Sequence, residues 1–195
     1  MTTSDGYHHG DLRATLLKAA MRMLEKREPF SLRAVAKRAA VSPTAPYRHF
    51  ADRAALESAL AAEGFRDLKM DLVKERGLPS SVADLAELAV AYVDFALRRP
   101  ALFRLMFGGE CDDSNDERVR ATAELHELLA IALTKVFPDA DAPSLATACW
   151  SLVHGLAFLH LDGKLSTTPR TSVAPRVRAA VAAIFALGSP GPRRR

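Results

Sequence analysis

Residues 42–53 hold a dense set of groups that can bond to phosphate oxygens or base edges: Ser42, Thr44, Tyr47, Arg48, His49 and Arg53. Arg33 lies a short way upstream. Arg48 has the planar fork that matches O6 and N7 of guanine. His49 and Arg53 can donate to phosphates, and Arg33 to either kind of partner. Thr44 offers a hydroxyl and a methyl, and Tyr47 a phenol on a rigid arm. Taken singly, Tyr47 and His49 would serve equally well as packing and capping residues. The order Tyr-Arg-His-Phe, followed three residues later by Arg53, favours a contact set.

Such a set needs a rigid platform, and the flanking pattern predicts one. Leu12, Leu16, Ala19, Ala20, Met23 and Leu24 recur at spacings of three and four, so residues 11–26 read as an amphipathic helix. Ser31 is placed to cap a second helix whose inner face is Leu32, Val35, Ala36 and Ala39. Ser42 is a second cap candidate, with Pro43 at the first helical position, where a missing N–H costs nothing. Pro46 would then forfeit only the first intrahelical bond. The turn between these helices needs a left-handed residue, usually Gly; here it is Ala40, at about 1 kcal/mol. This is a helix-turn-helix whose second helix would enter a DNA major groove.

Charge agrees with that reading. The 195 residues carry a net +4, yet residues 1–53 hold ten basic and five acidic side chains, so the rest of the chain is slightly acidic. A basic reader with a near-neutral remainder suits phosphate contact, although a solvated basic surface would look the same. Two cysteines, Cys111 and Cys149, form no CxxC pair, which disfavours a disulfide framework or structural zinc. The composition predicts a reduced, cytoplasmic setting, with no secretory leader and no apolar run long enough to span a bilayer.

Beyond the reader, Asp52 is placed to cap a helix over residues 53–76 with Leu56, Leu60, Phe65, Leu68 and Leu72 as its stripe. Breaks at 77–80, 100, 108–115, 138–143 and 162–169 delimit helices at 82–98, 101–107, 116–137, 144–161 and 173–187. That makes about nine helices and no strand. The expected organisation is a flexible arm (1–10), a three-helix DNA-binding domain (11–56), a C-terminal helical domain (57–187) and a disordered basic tail (188–195).

The C-terminal part is harder to read. Trp150, His154 and Phe158 share one helical face, and Gly155 beside them costs about 1 kcal/mol relative to Ala. Tyr92, Phe95, Phe103, Met106 and Phe107 would suit an apolar cavity, with His126 as a further polar group. The same residues would suit a filled core. His8-His9 lacks further ligands at metal spacing, so no metal or cofactor is expected. No P-loop, GxGxxG or GxSxG occurs. Cys149 and His154 lie too far around a helix for a nucleophile–base pair, so an enzyme is disfavoured. A helical protein whose helix-turn-helix docks another protein is the alternative to a DNA reader.

Residues 16–60, LLKAAMRMLEKREPFSLRAVAKRAAVSPTAPYRHFADRAALESAL, resemble the DNA-binding region of the TetR family of bacterial transcriptional regulators. The shared features are Tyr-x-His-Phe and the basic residue after it. The departures are Ala40 and Glu28 where Gly is usual, Pro46 for an aliphatic residue and Arg53 for Lys. The segment GYHHGDLR and the Trp-x-x-x-His-Gly arrangement resemble one subfamily. The resemblance implies base or phosphate contacts at Arg33, Ser42, Pro43, Thr44, Tyr47, Arg48, His49 and Arg53. It also implies an all-α regulator, most often a repressor, on a palindromic double-stranded operator. A small hydrophobic effector would be held by Tyr92, Phe95, Phe103, Met106, Phe107, His126, Trp150, His154 and Phe158. The last two helices would form a homodimeric bundle, through Val173, Val177, Val181, Ile184 and Gly188 on the second.

Overall fold

The structure, a computed structural model, describes residues 6–74, 77–108 and 117–187, and side chains between residues 12 and 186. Among them are eight α-helices, two 3-10 turns and no strand. The helices are α1 (Gly6–Glu25), α2 (Leu32–Arg38), α3 (Arg53–Val73), α4 (Val82–Arg98), α5 (Pro100–Phe107), α6 (Glu117–Val136), α7 (Ala142–Leu161) and α8 (Val173–Leu187). The 3-10 turns are Ala45–Arg48 and Arg170–Ser172. The all-α expectation holds. The ninth helix expected, over 43–49, is instead the first of these turns.

Helix ends follow local chemistry. Ser31 Oγ accepts the Ala34 N–H at 3.1 Å and starts α2. Asp52 Oδ1 accepts the Ala55 N–H at 2.8 Å and starts α3. α1 begins at Gly6 rather than 11, so residues 6–10 of the expected arm are helical. Extension from the nucleus formed by the leucine stripe adds a hydrogen bond per residue without a new nucleation cost. Cys111, Gly188 and the tail lie outside the described residues, as do the side chains of His8 and His9.

The chain divides into two compact units, residues 1–66 with 99–122 and residues 67–98 with 123–195. In the first, Leu16, Ala20, Val35, Leu56 and Leu60 are fully buried, and Phe50 is nearly so. α5 lies close to α3 at Gly64, where a Cβ would sit 2.7 Å from Met106 Sδ. In the second unit α4 packs against both α7 and α8. Val173, Val177 and Val181 of α8 are buried within this one chain. That corrects the expectation for these three valines, which pack inside the unit rather than against a second copy, whereas Ile184 of the same stripe is 44% exposed.

α7 runs for 20 residues without a single Asp, Glu, Lys or Arg. By length and composition it is apolar enough to cross a membrane, contrary to the expectation that no stretch reached that size. Little of it is buried. Leu159 is 43% exposed, Ala148 and Ser151 are open on the same side, and nothing lies within 4 Å of a Cβ built on Gly155.

The backbone at Ala40 is left-handed, with φ +56°. The Ala40 N–H donates to Lys37 O at 3.2 Å and the Val41 N–H to Ala36 O at 3.0 Å. This pair of bonds is the Schellman reversal that satisfies orphan carbonyls at a helix end. Ala40→Gly keeps both bonds and removes the Cβ clash, so it should raise stability by about 1 kcal/mol in urea or thermal unfolding. Equal or lower stability would contradict the strain assigned to this residue.

Candidate nucleic-acid interface and apolar cavity

In the first unit, the segment after α2 is a 3-10 turn because proline removes the donors an α-helix would use. The Ala45 N–H donates to Ser42 O at 3.0 Å, Tyr47 to Thr44 at 3.2 Å and His49 to Pro46 at 2.9 Å. All three bonds span three residues, the 3-10 pattern. Pro46 has no N–H to return to Ser42. Thr44 therefore occupies the cap position without a side-chain cap bond, and Pro46 falls in the first turn. This corrects the expected start at Pro43 under a Ser42 cap; the Ser42 hydroxyl instead meets that of Thr44 at 3.3 Å.

Buried Pro46 and Phe50 pin the turn to the core. The Arg13 guanidinium lies 5.5 Å over the Phe50 ring, adding a cation–π contact. With the turn held from beneath, Ser42, Pro43, Thr44, Tyr47 and Arg48 are exposed, as is Arg33 on α2. α2 packs on this turn, so the six residues belong to one small structure. His49 differs: it is half-buried, its Nε2 is enclosed and its ring lies 6.4 Å from Phe50. Arg53 is exposed, but its Nε donates to Glu57 Oε1 at 2.6 Å and its guanidinium lies 5.7 Å from the Phe30 ring.

The second unit contains a narrow cavity of about 70 Å³ between α4, α6, α7 and α8, with Leu72 of α3 on its wall. Leucines dominate the lining. Tyr92, His126, Cys149 and Trp150 supply the polar groups, and no Asp, Glu, Lys or Arg borders it. Tyr92 is buried, which raises its phenol well above the ordinary value. Its oxygen accepts the Trp150 Nε1–H at 3.4 Å and bonds His154 Nδ1 at 3.1 Å. Burial holds His154 below the usual imidazole value, so near neutral pH Nδ1 can accept the phenol proton. His126 stands edge-on to Trp150 at 4.3 Å.

Of the expected cavity residues, Tyr92, His126 and Trp150 line it. His154 is one step behind, through the Tyr92 hydroxyl, and Phe158 packs on it at 4.8 Å. Phe95 is buried outside the lining. Phe103, Met106 and Phe107 are in the first unit, where Phe107 meets Phe65 at 5.1 Å and Phe103 at 4.8 Å. Large side chains here fill space rather than border it. The walls that sequence reasoning missed include Leu88, Leu125, Leu129, Leu152 and Val153. Nothing in their pattern separates a cavity wall from a core stripe, since a gap arises from helix spacing. Burial raises the Cys149 thiol, which keeps it protonated and unreactive. Among the described residues no three His, Cys, Asp or Glu side chains converge on a metal position.

Residues 16–60 match the family described as bacterial regulatory proteins, tetR family. Residues 85–184 match the description Tetracyclin repressor-like, C-terminal domain. A protein of unknown function from Rhodococcus sp. RHA1 is 34% identical over 91% of this chain and 97% of its own, with a TM-score of 0.75. A TetR-family transcriptional regulator from Rhodococcus sp., itself described as putative, is 20% identical over 90% and 99%, with a TM-score of 0.70. A TetR variant from Acinetobacter baumannii AYE in complex with minocycline is 20% identical over 91% and 98%, with a TM-score of 0.63. No curated protein matches the sequence.

The His154 environment sets a pH dependence. Unfolded, it titrates near 6.5; folded, burial holds it lower, as burial also does for His160. Above about pH 6.5 both states are neutral and stability is intact. Below that the unfolded chain takes up protons first, so stability falls until the folded values are passed. Urea midpoints should drop between about pH 7.5 and about pH 5.5, and drop less in His154→Gln. An identical drop in the variant would show that His154 plays no part.

Proposed function

The chain belongs to the TetR family of bacterial regulatory proteins, and on that premise we propose that it is a homodimeric repressor released from its operator by a small hydrophobic molecule. The observation that carries the reading is the exposed set Arg33, Ser42, Pro43, Thr44, Tyr47 and Arg48 on a turn pinned by buried Pro46 and Phe50. Each copy would seat this turn in the major groove of one operator half-site. Arg48 would read guanine, Thr44 and Tyr47 would contact neighbouring bases or sugars, and Arg33 would bind a base or phosphate. Arg53 would act at a phosphate through the part of its fork that Glu57 leaves over, and His49 would reach one only if its enclosed Nε2 turned outward. Such a protein works where its operator lies, in the cytoplasm.

Dimerisation is proposed through the uncovered sides of α7 and α8. On α7 these are Ala148, Ser151, Gly155 and Leu159, and on α8 Pro175, Ala179, Ala182 and Ala186. Small residues allow helices of two copies to approach closely, and Leu159 gains burial. The effector would occupy the cavity beside Tyr92, His126 and Trp150. That the Acinetobacter protein of this fold is in complex with minocycline supports a ligand-holding role.

Two measurements test the reading. Arg48→Ala should lose about 1–3 kcal/mol of affinity for the operator and relax the preference at one base position in each half-site. Unchanged affinity with unchanged preference would remove Arg48 as a reader. Native mass spectrometry should give twice the chain mass, and Gly155→Leu should give the single-chain mass at matched concentration. A variant that stays dimeric would place the interface elsewhere.

A further inference from the structure

We infer that the cavity of the second unit selects a slim, uncharged, mainly hydrocarbon molecule with one hydrogen-bonding head, its chain among the leucines and its head at His126. This rests on the effector reading above and narrows the chemical class.

Charge supplies the first argument. No Asp, Glu, Lys or Arg borders the cavity, so a carboxylate or ammonium head would give up hydration there without gaining an ion-pair partner from those side chains. Shape supplies the second. The lining runs from Leu85, Leu133 and Phe185 at one end to Tyr92, His126 and Trp150 at the other. Leu85 and Tyr92 are two turns apart on α4, roughly 10 Å. A gap this slender over that length suits a chain or a thin flat skeleton better than bulky fused rings.

The polar groups are also asymmetric. One end is aliphatic and phenyl, with Cys149 as its sole heteroatom and that thiol kept protonated. At the other end the Tyr92 hydroxyl is already engaged with Trp150 and His154. His126 is exposed and touches the cavity, so its ring stands at the mouth and offers its nitrogens to a hydrogen-bonding head. A head group such as a hydroxyl or carbonyl satisfies that site without carrying charge inward.

Trp150 is the only tryptophan and lies on the wall, so its emission reports occupancy in the unmodified chain. Octanol, octanoate and octylammonium share a chain and differ in head charge. Octanol should shift the emission saturably and raise the melting temperature. The two ions should bind about tenfold or more weakly. Leu129→Phe, or Leu88→Phe should the first variant not fold, should abolish the octanol response, and His126→Ala should weaken it several-fold. Equal or tighter binding of either ion, or no octanol binding, would overturn the inference. A mobility-shift assay on operator DNA separates this result from the regulatory reading. Octanol binding without DNA release would sustain the cavity chemistry and sink the effector role. Charged molecules that bind and release DNA would do the reverse.

Discussion

Among the described residues, three helices reverse direction through one left-handed residue apiece, and only one of these three residues is glycine. α1 ends through Arg27 (φ +55°), α2 through Ala40 (φ +56°) and α7 through Gly163 (φ +70°). Each end carries the same paired bonds, such as the Glu28 N–H to Met23 O at 2.9 Å and the Lys164 N–H to Leu159 O at 2.8 Å. The constraint comes from orphan carbonyls, which must find donors within a tight reversal. In the first unit this geometry directs the chain from α1 to α2 and from α2 to the reader turn. At Arg27 and Ala40 the chain accepts roughly 1–2 kcal/mol of steric cost apiece. Buried Val35 and Phe50, on either side of Ala40, supply the compensating packing.

The second unit depends on a different constraint: a phenol removed from water must keep its hydrogen bonds. Tyr92 sits on α4, the helix that packs against both α7 and α8. Its oxygen ties to two α7 residues one turn apart, Trp150 and His154. This knot sets the depth at which α7 lies on α4 and so leaves a gap beyond it that leucines line without filling. The same bond ties His154 to the phenol, one step behind the lining, so His154 is the support and His126 the contact.

Much of this was readable from residue order. The boundaries of α4 and α8, the Ser31 and Asp52 caps and the left-handed Ala40 follow from local rules that act within a few residues. The 3-10 turn was not foreseen because the cap preference of Ser42 and the N1 preference of Pro43 both pointed to an α-helix. The missing Pro46 N–H outweighed them. Candidate cavity residues were legible only in part. Tyr92, Trp150 and His126 carry polar tips that need partners, which marks them out. Phe103, Met106 and Phe107 share the aromatic character but fill the core beside α3, because Gly64 lets α5 come close. The stripe Val173, Val177 and Val181 has the right period for either an internal or an intermolecular contact. Only the placement of α8 against α4 decides between them.

α7 is where the proposed roles meet physically. Its inner side gives Cys149, Trp150 and Val153 to the cavity, and its outer side presents Gly155 and Leu159 uncovered. A close-packed interior transmits displacement rather than absorbing it. A molecule wider than the gap must move a wall, and α4 is held by α8 on its other contact. The helix with least burial of its own is α7, so it is the wall that yields most cheaply. On the proposed reading, a second copy rests on the very helix that moves. The effector then has unequal affinity for two arrangements of the dimer, the thermodynamic requirement for any ligand to shift an equilibrium. A ligand that fitted the gap without moving α7 would bind and regulate nothing.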